Sequence, residues 1–238
     1  MPEERAVSVR DRHDSMTRIV VINPNTSAAT TAMMTDLVRG VLPANVTVEG
    51  MTAVSGVPMI LNPAQLDASI AGVLDMGIAA ARNADGLIVC AFGDPGLEPL
   101  RNSVGIPVVG LCEASMIEAA AGGRRFGIAT VTPDLVDSFS KKAESLGLAD
   151  RFTGTRLTDG DPQHLASEPD RLREALAMAV RQSLDCDGAD VVIIGGGPLG
   201  RAAAALREQL SAPIIAPIAS ASALLLRLMT EADDAAGA

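Results

Sequence analysis

Residues 84–97 read Ala-Asp-Gly-Leu-Ile-Val-Cys-Ala-Phe-Gly-Asp-Pro-Gly-Leu. From Leu87 to Cys90 the run is apolar without alternation, the pattern of a strand covered on both faces in a parallel sheet. Phe92-Gly-Asp-Pro-Gly96 then stops it, because glycine and proline interrupt periodic structure. A loop at that place is a strand end, where open α/β sheets hold their ligands. The pattern returns as Ala189-Asp-Val-Val-Ile-Ile-Gly-Gly-Gly-Pro-Leu199, with Ala84 matching Ala189, Asp85 matching Asp190, and Ala91 matching Gly196. With the two apolar runs laid on each other, Leu87–Cys90 is expected to lie on Val191–Ile194.

Outward from this pair, two more segments recur in the same order. Ile19-Val-Val-Ile22 stops at Asn23-Pro-Asn-Thr-Ser27, and Arg125-Phe-Gly-Ile-Ala-Thr-Val-Thr-Pro133 repeats that strand with Thr132 and Pro133 opening its helix. Ile106–Ala114 returns as Ala212–Ser220. Three ordered repeats, with helical segments between strands, predict an α/β fold of two similar lobes. Each lobe has a parallel sheet, and the strand-end loops of both form one cleft. The expected division is a polar, disordered leader at 1–17, a first lobe of 18–111 plus 214–238, and a second lobe of 112–213.

Composition narrows the partners. A formal net charge of −10 disfavours nucleic acid and anionic membranes, and with no Trp, no Tyr and four Phe there are few rings for bases to stack on. No apolar run reaches a membrane span, and the leader lacks the apolar centre of a signal peptide, so a cytoplasmic protein is expected. Cys90, Cys112 and Cys186 are odd in number and lack metal-ligand spacing, which predicts neither a disulfide framework nor a metal site. Gly195-Gly-Gly-Pro-Leu-Gly200 spells the dinucleotide pattern, but Pro198 removes an N–H and no acid stands some twenty residues on. The apolar composition allows a homo-oligomer.

The cleft is expected to cradle a small carbonyl or carboxylate compound. Backbone N–H groups of Phe92, Gly93, Gly196 and Gly197 are available whatever the side chain. Asn25, Thr26, Thr130 and Thr132 offer side-chain donors at equivalent loops, or cap the helices there. Asp94 and Glu113 either bond loop N–H groups or transfer protons, and Cys90 is either a packed strand thiol or an acid–base group. Cys112 has the same two readings. Cys186 precedes a strand at the far end of the sheet, and His13 and His164 sit in polar surface segments.

Ile22-Asn-Pro-Asn-Thr-Ser27, Phe92-Gly-Asp-Pro-Gly-Leu97, Pro107-Val-Val-Gly-Leu-Cys-Glu-Ala114 and Arg125-Phe-Gly-Ile together resemble the hydantoin and allantoin racemases of the aspartate/glutamate racemase superfamily. The resemblance runs from Thr17 to about Met229. It implies Rossmann-like lobes related by a pseudo-two-fold axis, no cofactor, and two cysteines that move a proton on opposite faces of the substrate. Carried over, those cysteine positions are Ala91 and Gly196, whose side chains hold no transferable proton. The expected activity is a racemase-like isomerisation of a hydantoin-type or amino-acid-derived compound. A cofactor-free decarboxylation or hydrolysis, as in the superfamily's arylmalonate decarboxylases, and a binding protein without catalysis are the alternatives.

Overall fold

The computed structural model describes residues 16–237. Two four-stranded parallel sheets carry the chain. The first has the order β2-β1-β3-β4, from Val46–Thr52 (β2), Thr17–Asn23 (β1), Gly86–Val89 (β3) and Val108–Gly110 (β4). The second repeats that order with β6-β5-β7-β8, from Phe152–Leu157 (β6), Phe126–Thr130 (β5), Val191–Ile194 (β7) and Ile214–Ile215 (β8). Most of the expected leader, His13 included, lies outside the described residues, and Thr17 already pairs with Val46 in β1.

The repetition extends to single hydrogen bonds. Asp85 accepts from the Arg18 N–H at 2.8 Å, and Asp190 accepts from the Arg125 N–H at 2.7 Å, each carboxylate pinning the start of its central strand. At the other end the Cys90 N–H donates to the Ile22 carbonyl, as the Gly195 N–H does to Ala129. Ile19 pairs with Gly86 and Phe126 with Val191, so Gly86 is the counterpart of Val191. Leu87–Cys90 therefore corresponds to Val192–Gly195, one residue on from the sequence expectation. The match of Asp85 with Asp190, already present in the sequence, gives this register, and laying the featureless apolar runs on each other slips it by one.

Helices cover both faces of each sheet, and alternation along the strands sorts the side chains. Ile19, Val21, Ile88 and Val109 of the first sheet share one core with Phe126, Ile128, Val191 and Ile193 of the second. Val20, Ile22, Leu87 and Val89 face an outer core of the first lobe, and Ala129, Val192 and Ile194 face one of the second. Helix α1 (Ala28–Val41) adds Met34 and Val38 to the central core, α5 (Leu111–Ala120) adds Met116, and α6 (Val136–Ser145) adds Phe139. The last helix (Pro217–Gly237) places Ile218, Ala221 and Leu225 there too, packing on α5, α1 and β3. Ile214 and Ile215 pair with β7, in the second sheet, although the sequence division begins the returning part of the first lobe at 214. Among the described residues no helix is long and apolar enough to cross a membrane.

Candidate active site

The ends of β1, β3, β5 and β7 open into one cavity between the sheets. Asn25, Cys90, Ala91, Phe92, Thr132 and Gly195–Gly197 line it, below an apolar wall of Met59, Ile60, Leu66, Val131, Leu135, Phe139 and Leu199. Its enclosed volume is about 40 Å³, room for a water-sized group, at the bottom of an opening of about 490 Å³ that includes open solvent, so a ring-sized ligand would sit largely in the mouth. Cys90 is the one titratable side chain in this lining.

Glycine brings the two halves together. A Cβ on Gly195 would lie 2.9 Å from the Phe92 ring, and one on Gly197 would lie 3.0 Å from the Cys90 carbonyl oxygen. Either atom would force the loops apart. Gly196 adopts φ 152°, a backbone open to glycine and strained for other residues. Across the same seam the rings of Phe92 and Phe139 meet edge to face, centroids 5.1 Å apart. Among the described residues no protein acceptor engages the N–H groups of Ala91, Phe92, Gly196 and Gly197, so donors from both strand-end loops remain for an oxygen in the cleft.

The polar side chains around the cleft have unequal freedom. Asn25 Oδ1 accepts from the Ser27 N–H and from Asn23 Nδ2, both at 2.9 Å. The Ser27 N–H can only donate, which fixes the amide's orientation and leaves Nδ2 without a protein acceptor among the described residues. Thr130 is fully buried and does not line the cavity, because its hydroxyl donates to the Gly195 carbonyl at 2.6 Å and holds the glycine loop to β5. Thr132 Oγ1 lies 3.1 Å from Thr130 Oγ1. Thr26 and Gly93 also stand off the wall. The Thr26 N–H anchors the Val57 carbonyl and thereby the loop that carries Met59 and Ile60 over the cleft.

The acids expected near the site hold the framework. Asp94 accepts from the Cys112 and Glu113 N–H groups, both at 2.8 Å, capping α5 with its carboxylate, and lies 3.3 Å from Lys142 Nζ on α6. Gly110 leaves it room, since a Cβ there would fall 2.3 Å from the carboxyl carbon. Burial pushes the Asp94 carboxyl above its ordinary range, against the pull of Lys142 and the two N–H groups. Glu113 is clasped by Arg101 through both oxygens, at 2.5 and 3.0 Å, facing a different surface groove. Neither acid lines the cavity.

Cys90 follows the alternation of β3 onto the central-core face with Ile88. Burial first, and the Asp94 charge second, raise its thiol far above the ordinary range, so it is protonated at neutral pH. Cys112 is raised for the same two reasons but lies off the cavity, and Cys186 is exposed. His164 is on the surface beside Glu168.

Sequence reasoning missed the apolar wall and Lys142. Leu135 and Phe139 are spaced as one face of a helix, which in sequence reads as core packing. Lys142 gives no sign of its buried partner on the other lobe.

Known proteins agree with this architecture. The hydantoin racemase of Paenarthrobacter aurescens is 26% identical over 216 residues, covering 86% of this chain and 87% of its own. Allantoin racemase from Klebsiella pneumoniae superposes with a TM-score of 0.83 at 27% identity, covering 91% of this chain and 89% of its own. Arylmalonate decarboxylase shares the fold at 17% identity, with a TM-score of 0.59 over 89% of this chain and 92% of its own. With the Asp/Glu/hydantoin racemase model matching residues 19–225, from the first strand into the last helix, the chain belongs to that family.

Proposed function

We propose that the chain is a cofactor-independent, racemase-type isomerase acting on a small neutral cyclic amide or imide of hydantoin type with an apolar substituent. The composition of the cleft carries this reading: donors from both lobes converge on a cavity whose lining holds no charged side chain. A dicarboxylate amino acid would meet no cationic partner on these walls, whereas an uncharged ring needs none. Removing the proton next to a carbonyl moves negative charge onto its oxygen, and the free N–H groups of Phe92, Gly196 and Gly197 with Asn25 Nδ2 stabilise that charge. The substituent rests on Met59, Leu135 and Phe139.

Proton transfer is the weak part of the machinery. By resemblance the two thiol positions are Ala91 and Gly196, which supply none, and Cys90 is left as a protonated thiol. It serves one face as a donor and regains its proton from solvent, while the first proton, with no side-chain base in the lining to take it, passes to water or hydroxide, so racemisation is slow. A single protonated thiol beside an enolate cradle also fits a cofactor-free decarboxylase, the second reading.

The test incubates the parent chain, Cys90→Ala and Ala91→Cys with single enantiomers of 5-alkylhydantoins in heavy water, following optical rotation and deuterium uptake. Slow rotation loss with deuterium uptake, reduced in Cys90→Ala and raised in Ala91→Cys, is expected. Carbon dioxide release from an α-carboxylated analogue without exchange supports the decarboxylase. Binding without either reaction makes the protein a binder.

A further inference from the structure

Asn25 and Thr132 occupy equivalent places, two residues past the last paired residue of β1 and of β5, and both line the cavity. Their hydrogen-bonding polarity is opposite. A threonine hydroxyl has one proton. The Thr130 proton is directed at the Gly195 carbonyl at 2.6 Å, so the 3.1 Å contact between the two hydroxyls is made with the Thr132 proton. Thr132 therefore shows the cleft lone pairs only. Asn25, with Oδ1 engaged by Ser27 and Asn23, shows it the two protons of Nδ2.

We infer that this pair reads an amide: Asn25 Nδ2 donates to a ligand carbonyl while Thr132 Oγ1 accepts from an N–H of the same ligand. The inference rests on the isomerase site proposed above and deepens its specificity. A carboxylate or ester oxygen placed at Thr132 meets lone pair against lone pair, and a buried acceptor left unpaired is penalised more than a bond is rewarded. The pseudo-symmetric cleft thus has a donor end and an acceptor end, which fixes the direction in which an unsymmetrical ring lies.

Calorimetry separates the outcomes. A 5-alkylhydantoin is compared with its oxazolidinedione isostere, in which ring oxygen replaces one N–H, and with its N-methyl derivative, which blocks the other. The parent chain is expected to bind one of the two analogues at least about tenfold more weakly than the hydantoin. Thr132→Val, which keeps the shape and removes the acceptor, loses that discrimination, and Thr132→Ser restores it. Asn25→Asp keeps the oxygen facing Ser27, turns the donor into an acceptor, and weakens all three ligands. Equal binding of the hydantoin and both analogues by the parent chain overturns this inference alone, as does undiminished discrimination in Thr132→Val. If no cyclic amide binds at millimolar concentration, the isomerase reading falls and the inference with it.

Discussion

Restoring a thiol to each lobe is not a symmetric operation. At Ala91 the backbone already carries a Cβ. At Gly196 it adopts φ 152° and ψ 126°, and an added Cβ would come within 3.0 Å of both Cγ and Cδ1 of Leu199. Holding an L-residue in such a region costs of order 1–3 kcal/mol. For a chain of this length each kcal/mol lowers Tm by about 2–4 °C, so Gly196→Cys is expected to melt roughly 4–8 °C below the parent at about 2 kcal/mol. Ala91→Cys stays within about 2 °C of the parent. Differential scanning calorimetry of both, with Gly196→Ala to separate backbone strain from the thiol, reads this directly. If Gly196→Cys and Gly196→Ala melt with the parent, the claim that this loop is built around glycine is wrong, and the second thiol position is open.

In native protein at neutral pH, a disulfide-exchange reagent should titrate Cys186 rapidly, react slowly at Cys90, whose thiol in the cavity wall is protonated, and reach Cys112 only on unfolding, because it is buried off the cavity; rapid titration of three thiols refutes this. Both buried thiols have raised pKa values, so their contribution is complete below the ordinary thiol pKa of about 8.5 and is lost as pH rises toward their folded values. With no tyrosine, and Lys141 and Lys142 as the only lysines, Cys90→Ala should visibly flatten the fall in stability above about pH 8.5, and an unchanged slope contradicts the assignment. Lys142→Met leaves the Asp94 carboxylate buried without its cation and should destabilise by about 2–4 kcal/mol; additivity with Asp94→Asn in denaturant titrations would show the two to be uncoupled. The Arg156 bond holds the Asp187 carboxyl below its ordinary range, so its contribution is present above about pH 3.9 and lost as pH falls through the lowered value. Asp187→Asn should remove that acid limb, and an identical acid profile in this variant argues against the pair.

Parallel strands covered on both faces announce themselves as apolar runs, and the loops that end them are rich in glycine and proline, so the two-lobed plan is readable from residues 84–97 and 189–199. Positions supplied by backbone, such as Gly196 and Gly197, are readable for the same reason: their availability does not depend on a distant side chain. Asp94 illustrates the opposite case. In sequence it is an acid in a strand-end loop, and only the approach of α5, eighteen residues further on, turns it into a helix cap. Thr130 and Thr132 look alike as donors until the Gly195 carbonyl, 65 residues from Thr130, claims one proton and thereby reverses the other's role.

The central core sets how the molecule divides. Because Ile19 and Ile88 pack in one cluster with Ile128 and Ile193, and the last helix returns to cover α1, α5 and β3, neither half owns a complete interior. A chain cut between the repeats would leave each fragment with a bare apolar face, a surface that soluble monomers rarely tolerate. The internal symmetry is thus one of shape and not of autonomy. The lobes should melt together in a single calorimetric transition, and two separately produced halves should regain their structure only when mixed.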